Sequence, residues 1–199
     1  MNIFDHKKIS FIERIIRTIP VRFKIINIHI KSTLVSPIFI YNGGGVKIEK
    51  GVTIYPGSRI ETHNGGTITI KENANIGQNF HIISCKLELC IERNCTISGN
   101  VFISNLDHNY KEIGKHILDQ QNIISKTHIG ENCFIGYGAV IQPGTILGNH
   151  CVVGSNAVLR GNFPDYCVIA GSPAKIIKRY SFDKKEWLKT DDKGNFIQI

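Results

Sequence analysis

From Ile123 to Leu159 an aliphatic residue returns at every sixth position, through Ile123, Ile129, Ile135, Ile141, Leu147, Val153 and Leu159. An α-helix repeats every 3.6 residues and a strand every two, so neither accounts for the pattern. The positions between are ordered too. Four residues after each anchor comes a mostly small side chain, at Thr127, Cys133, Ala139, Thr145, Cys151 and Ala157. Three residues after come Asn132, Gly138, Gly144, Asn156 and Asn162. Asn and Gly tolerate left-handed backbone best. Each hexad therefore predicts a short strand with an inward aliphatic anchor, a tight corner at positive φ, and a small residue inside the bend. Three hexads close one triangular coil, and the chain reads as an all-β parallel solenoid in which successive coils stack at roughly 4.8 Å.

The pattern extends upstream through Ile48, Ile54 and Ile60, then Ile70, Ile76 and Ile82, then Ile91, Ile97 and Ile103, with corners at Gly51, Gly57, Asn73, Asn79, Asn94 and Asn100. Ile135 is expected to stack with Val153, Ala139 with Ala157, and Cys133 with Cys151. Short corner insertions absorb the steps from Ile60 to Ile70 and from Ile82 to Ile91. The step from Ile103 to Ile123 needs a long excursion loop over residues 104–122. A regular scaffold interrupted once by a long loop tends to carry function on that loop.

The 199 residues suit one domain in three parts: an N-terminal cap segment (1–45, a helix plus a lead-in strand), the solenoid (46–180) and a C-terminal tail (181–199). Residues 9–19 place Ile9, Ile12, Ile15 or Ile16, and Ile19 on one helical face with Glu13, Arg14, Arg17 and Thr18 opposite, before Pro20. Two readings stand: a cap over the open first coil, or peripheral contact of the basic face with an anionic membrane. Val21 to Ile40 leads into the first, incomplete coil. Phe182 to Leu188 reads as a short C-terminal helix, with Trp187 as a packing anchor. No apolar run is long enough to span a membrane and no secretion signal is evident, so a cytoplasmic location is expected.

Of the six cysteines, Cys95, Cys133 and Cys151 occupy the small inward slot and read as buried thiols. None has the close paired spacing of a zinc site, and no metal is expected. The formal charge is +8, with Lys7, Lys8, Arg14, Arg17, Arg22, Lys24 and Lys31 near one end and Lys175, Lys178 and Arg179 near the other. No nucleic-acid-binding motif accompanies that charge; a polyphosphate ligand suits the second cluster.

The run IGENCFIGYGAVIQPGTILGNHCVVGSNAVL, followed by FPDYCVIAGSPAKIIKRY, resembles the left-handed β-helix hexapeptide-repeat acyltransferases. Within them it is most similar to the sugar and polysaccharide O-acetyltransferases and the maltose, galactoside and xenobiotic acetyltransferases. The resemblance implies the left hand, which the period leaves open and which opposes the usual right-handed crossover. It further implies a homotrimer with active sites between subunits, acetyl-coenzyme A as acyl donor, and a sugar or glycan acceptor. At Ile-x-x-x-Asp-His, spanning Ile103 to His108, it aligns His108 with the family's general base. Acetylating a hydroxyl needs a base that titrates near neutrality, which an imidazole supplies; His116, also in the loop, stays open. His63, His81, His128 and His150 lie in hexads or corners and read as surface residues. Asp107, Glu112 or a backbone carbonyl could orient the imidazole, and Ser84, Asn105 and Tyr110 are candidates for acceptor contact.

The same resemblance implicates Gly138 and Ala139 beside the pantetheine arm and Ala157, Gly171, Ser172, Ala174 and Lys175 toward the nucleotide. Two departures from the family pattern are Phe134, where relatives carry Trp, and Arg160-Gly161-Asn162, where they carry Thr-Lys-Asp. Arg160, Lys178 or Arg179 would then supply the phosphate-binding charge. The expected activity is direct O-acetylation of a sugar hydroxyl in a surface polysaccharide or lipopolysaccharide precursor. Competing readings are an N-acetyltransferase for an amino sugar or other small amine, a carbonic-anhydrase-like β-helix and a non-catalytic solenoid scaffold.

Overall fold

The computed structural model describes residues 16, 18, 19, 21 and 27–197. The chain winds into a left-handed β-helix of about 6 turns, with three flat parallel sheets as the faces of a triangular prism. The first face stacks Asn27–Ile28, Gly45–Ile48, Thr67–Ile70, Glu88–Ile91, His128–Ile129, Ile146–Leu147 and Asn162–Phe163. On the second lie Thr33–Leu34, Thr53–Ile54, Asn75–Ile76, Thr96–Ile97, Phe134–Ile135, Val152–Val153 and Cys167–Gly171. The third carries Phe39–Asn42, Arg59–His63, His81–Cys85, Phe102–Ser104, Val140–Ile141 and Val158–Leu159. The first coil thus begins at Asn27, within residues assigned above to the cap segment.

The hexad pattern accounts for the interior. Ile135 pairs with Val153 and Ile141 with Leu159, and all four are fully buried. Fully burying each such side chain is worth about 1.5–3 kcal/mol. The small slot also holds: Cys133, Ala139, Thr145, Cys151 and Ala157 are buried inside their corners. All six cysteines are free thiols. Gly51, Gly57, Asn73, Asn79, Asn94, Asn100, Asn132, Gly138, Gly144 and Asn156 have positive φ, as their positions predict. Asn162 does not; it enters a strand, and the preceding Gly161 takes the left-handed turn at φ 106°. At two successive corners with neither Asn nor Gly, His150 and Tyr166 turn at φ 53° and 58°, and their rings stack at 5.0 Å.

Three expectations about the fold need correction. Ile123 does not open the array: Ile123–Ile124 pairs antiparallel with Leu106–Asp107, closing the base of the excursion loop, and the coils resume at His128. Nor is the segment after residue 181 helical. Cys167–Gly171, Ala174–Ser181 and Glu186–Lys189 form an antiparallel meander that extends the second face, because Tyr180 pairs with Trp187 across a turn at Ser181–Glu186. Trp187 does anchor that turn, edge-on to Tyr180 at 5.5 Å. At the other end, Ile16, Thr18, Ile19 and Val21 are helical, but the buried face is not the isoleucine face. Thr18 and Val21 are buried while Ile16 and Ile19 are 58% and 47% exposed. Thr18 is drawn inward by backbone pairing: its Oγ1 accepts the Leu34 N–H at 3.2 Å and donates to the Leu34 carbonyl. The rest of the amphipathic segment, and most of the N-terminal basic residues, lie outside the described residues. Among the described residues no helix is long and apolar enough to cross a membrane.

Candidate active site

The excursion leaves the third face at Ser104 and returns to the first at His128, so it projects from the corner between those faces. Its root is built from buried polar groups. Asn105 Oδ1 accepts the Cys85 N–H at 2.7 Å, and Asn105 Nδ2 donates to Ser84 Oγ at 3.2 Å and to the Cys85 carbonyl at 3.3 Å. Ser84 Oγ donates in turn to the Leu87 carbonyl at 2.7 Å. Both side chains are fully buried. Ser84 and Asn105, the residues expected at the acceptor, fasten the loop to the coil below, since a buried amide and hydroxyl must find partners within the protein.

Past the root, Asp107 and His108 stand at the rim. Asp107 Oδ1 accepts the His108 N–H at 2.9 Å, and Asp107 Oδ2 lies 3.6 Å from Arg160 Nη2 on the last coil. The carboxylate thus braces the backbone of His108 and links it to the same corner two coils higher, and both its oxygens have partners other than the imidazole. His108 is exposed, as is Tyr110 at 70%. His116 caps a 3-10 turn over Ile117–Asp119, with Nδ1 accepting the Leu118 N–H at 3.3 Å. Glu112 is engaged by Lys115 at 3.0 Å.

One organising residue was missed from the sequence. Gln120, 5% exposed, accepts the Glu112 N–H at 3.1 Å through Oε1, and its Nε2 donates to the Glu112 and Lys115 carbonyls at 3.1 and 3.0 Å. A single amide side chain thereby ties the middle of the loop together. Only its position between Asp119 and a second Gln hinted at this.

The residues linked to the cofactor collect along a different edge. Gly138 and Asn156 turn between the second and third faces, on successive coils, and a Cβ at Gly138 would lie 2.2 Å from Asn156 Oδ1. Gly171, at φ 101°, opens the tight turn to Ala174 that contains Ser172. Ala139 and Ala157 point inward and are closed to solvent. Their side chains fill the bend beneath the edge, which leaves their backbone as the part that can meet a ligand there. Lys175 forms an ion pair with Asp192. Arg179 Nη1 donates to the Gly194 carbonyl at 3.4 Å, while its buried Nε has no partner among the described residues. Lys178 stays exposed. Arg160 stands at the other corner, beside Asp107.

The third face carries a further cluster. Glu61 is 6% exposed on the outer surface of its strand. Arg59 Nε donates to its Oε1 at 2.5 Å, His81 Nε2 meets the same oxygen at 3.0 Å, and His63 Nε2 meets Oε2 at 3.2 Å. Burial alone would raise this carboxyl; the hydrogen bonds from Arg59, His81 and His63 overcome burial and hold it at about 2. Tyr41 stacks on His63 at 4.8 Å. These two histidines are thus partners of a buried carboxylate and not loose surface groups.

Comparison with known proteins agrees with this architecture. The bacterial transferase hexapeptide family (six repeats) matches residues 126–161. A protein of Escherichia coli (strain K12), provisionally named a lipopolysaccharide biosynthesis O-acetyl transferase, is 36% identical over 163 residues, covering 77% of this chain and 81% of its own. A polysialic acid O-acetyltransferase of Escherichia coli O1:K1 is 28% identical over 145 residues, covering 70% of this chain but only 45% of its own. Among solved structures, an N-acyltransferase from Bacillus cereus, in complex with dTDP and 3-hydroxybutyryl-CoA, superposes with a TM-score of 0.70 at 15% identity, over 83% of this chain and 88% of its own. At that identity the likeness is one of fold.

Proposed function

The chain belongs to the bacterial transferase hexapeptide family and is an acetyltransferase, and from that premise we propose that it moves the acetyl group of acetyl-coenzyme A onto a sugar hydroxyl of a polysaccharide or lipopolysaccharide precursor. The observation that carries the reading is the braced rim of the loop. His108 is exposed on the one long excursion, its backbone held by Asp107, while Arg160 ties Asp107 to the solenoid. His108 takes the proton of the acceptor hydroxyl as that oxygen attacks the thioester carbonyl. The carbon–sulfur bond then breaks, coenzyme A leaves as its thiolate, and the thiolate takes up a proton. No covalent enzyme intermediate is required, and orientation of the two substrates supplies much of the rate. A cytoplasmic location goes with a coenzyme A thioester as donor.

We take the site to be shared between subunits of a trimer. In one chain the loop stands at the corner between the third and first faces, and the turn at Gly171–Ala174 stands at the edge between the second and third. The width of a face separates them, so a loop from one copy and an edge from the next make a more compact site than either chain has alone. Light scattering should give three chains; a mass near a single 22.3 kDa chain at micromolar concentration would sink this part.

The decisive experiment is a screen of sugar acceptors for thiol release from acetyl-coenzyme A, with matched amino sugars beside the hydroxyl acceptors. Acetyl esters as products support the reading. Acetamides alone would move the protein to the N-acetyltransferase class, and release with no acceptor would remove it from both.

A further inference from the structure

Away from the loop and the C-terminal meander, three donor side chains among the described residues lie close enough to share one ion. They are Cys90, Glu92 and His128, whose ligand atoms all fall within 4.8 Å of one another. We propose that these residues form a zinc-class cation site on the first face, separate from acetyl transfer.

The placement follows from register. Cys90 and His128 are direct partners on adjacent parallel strands, so their side chains project together from the same side of the sheet. Glu92 follows Cys90 by two residues, the step that returns a side chain to the same face. Cys90 Sγ lies 3.6 Å from Glu92 Oε1, and His128 Nε2 lies 3.9 Å from that oxygen. Zinc bonds of about 2.0–2.3 Å in tetrahedral geometry hold neighbouring donors roughly 3.3–3.8 Å apart, so small side-chain movements complete the site. A thiolate, an imidazole and a carboxylate together suit zinc better than the hard cations, which take oxygen alone. Three protein ligands also leave a fourth position for water or another donor.

Two further features set this cysteine apart. Cys95, Cys133, Cys151 and Cys167 fill the inward slot of their corners, whereas Cys90 takes the outward position held by Lys47 and Thr69 on the coils below. Beside it runs a surface groove lined by Lys47, Glu49, Thr69, Glu88 and Lys126, which gives an ion a path to the donors. In the structure the Lys71 ammonium sits 2.8 Å from Glu92 Oε1, the oxygen that faces both other donors. A bound cation would displace it, so Lys71 is a built-in competitor.

The test uses the full chain stripped with chelator and titrated with Zn²⁺ against a chromophoric chelator, then with Co²⁺ as a spectroscopic probe. One Zn²⁺ per chain is expected, and Co²⁺ should give thiolate-to-cobalt charge-transfer absorption. Cys90→Ser should abolish that band, and both Cys90→Ser and His128→Gln should weaken zinc by more than about tenfold. Lys71→Met should tighten it. The proposal is overturned if Zn²⁺ does not bind at micromolar concentration, if binding survives both ligand substitutions, or if Co²⁺ binds without a thiolate band. Should Cys90→Ser fail to fold, the opposite shifts expected of His128→Gln and Lys71→Met still decide.

Discussion

Asp107 Oδ2 lies 3.6 Å from the Arg160 guanidinium while Asp107 Oδ1 accepts the His108 N–H, so one carboxylate couples the topmost regular corner to the residue assigned as base. Both side chains are substantially exposed, at 58% for Arg160 and 43% for Asp107, and an exposed pair contributes no more than about 1 kcal/mol to stability. Its value lies in position. Arg160→Ala should leave the melting temperature nearly unchanged, lower turnover by about tenfold, equivalent to about 1.4 kcal/mol of barrier, and leave the KM for acetyl-coenzyme A unaltered. A raised KM with unchanged turnover would instead make Arg160 a phosphate contact, the role that the family resemblance implied.

His108→Ala should reduce turnover by about 10²–10⁴, the usual contribution of a positioned general base, while fold and coenzyme A affinity persist. His116→Ala should cost far less, since His116 only accepts the Leu118 N–H at the start of a short turn. Steady-state kinetics on the two variants, with circular dichroism as a control for folding, separates them. Full activity in His108→Ala beside loss in His116→Ala reverses the assignment.

Gln120→Ala removes the amide that holds Glu112 and Lys115, and with it three hydrogen bonds each worth about 0.5–1.5 kcal/mol. That loss should stay local, because the loop is a separate opening unit from the stacked coils. Hydrogen exchange over residues 109–121 should accelerate while the coils stay protected, and turnover should fall with the loop's order. Unchanged exchange there would show that the loop is held by something else.

Glu61 fixes an acid limb. Its carboxyl is held at about 2 in the folded chain against an ordinary 4.5, because hydrogen bonds from Arg59, His81 and His63 outweigh the burial that opposes ionisation. A lowered carboxyl contributes stability that is full above about 4.5 and lost as pH falls toward 2, up to about 3 kcal/mol in all. Urea midpoints measured from pH 6 to pH 3 should therefore fall more steeply for the native chain than for Glu61→Gln. Parallel curves would show that Glu61 adds nothing to the acid dependence.

The sequence by itself determined the solenoid, because a period of six decides which side chains point inward and which corners need positive φ. Ile135, Ile141, Val153 and Leu159 fill the core as their spacing requires, and Gly138 and Asn156 turn where they must. The excursion loop was legible as a break in the period, and His108 as a motif upon it. What the period could not decide was contact between coils, which depends on the corner insertions that set how far one strand lies from its partner in sequence. Cys90 meets His128 only because the entire excursion intervenes between their strands, and Glu61, flanked by Arg59 and His63 on its own strand, gains His81 only because two long strands stack in register. The burial of Ser84 and Asn105 rests on the same lateral geometry, whereas the latch at Gln120 is a contact within the loop, where no period runs. Likewise Phe182 to Leu188 has a pattern compatible with a helix, and it is the free edge of the second face, offering unpaired backbone groups to Ala174–Ser181, that draws it into a meander. Tertiary structure decided these features because each rests on a hydrogen bond or contact that reaches beyond one hexad, and a hexad encodes only its own coil.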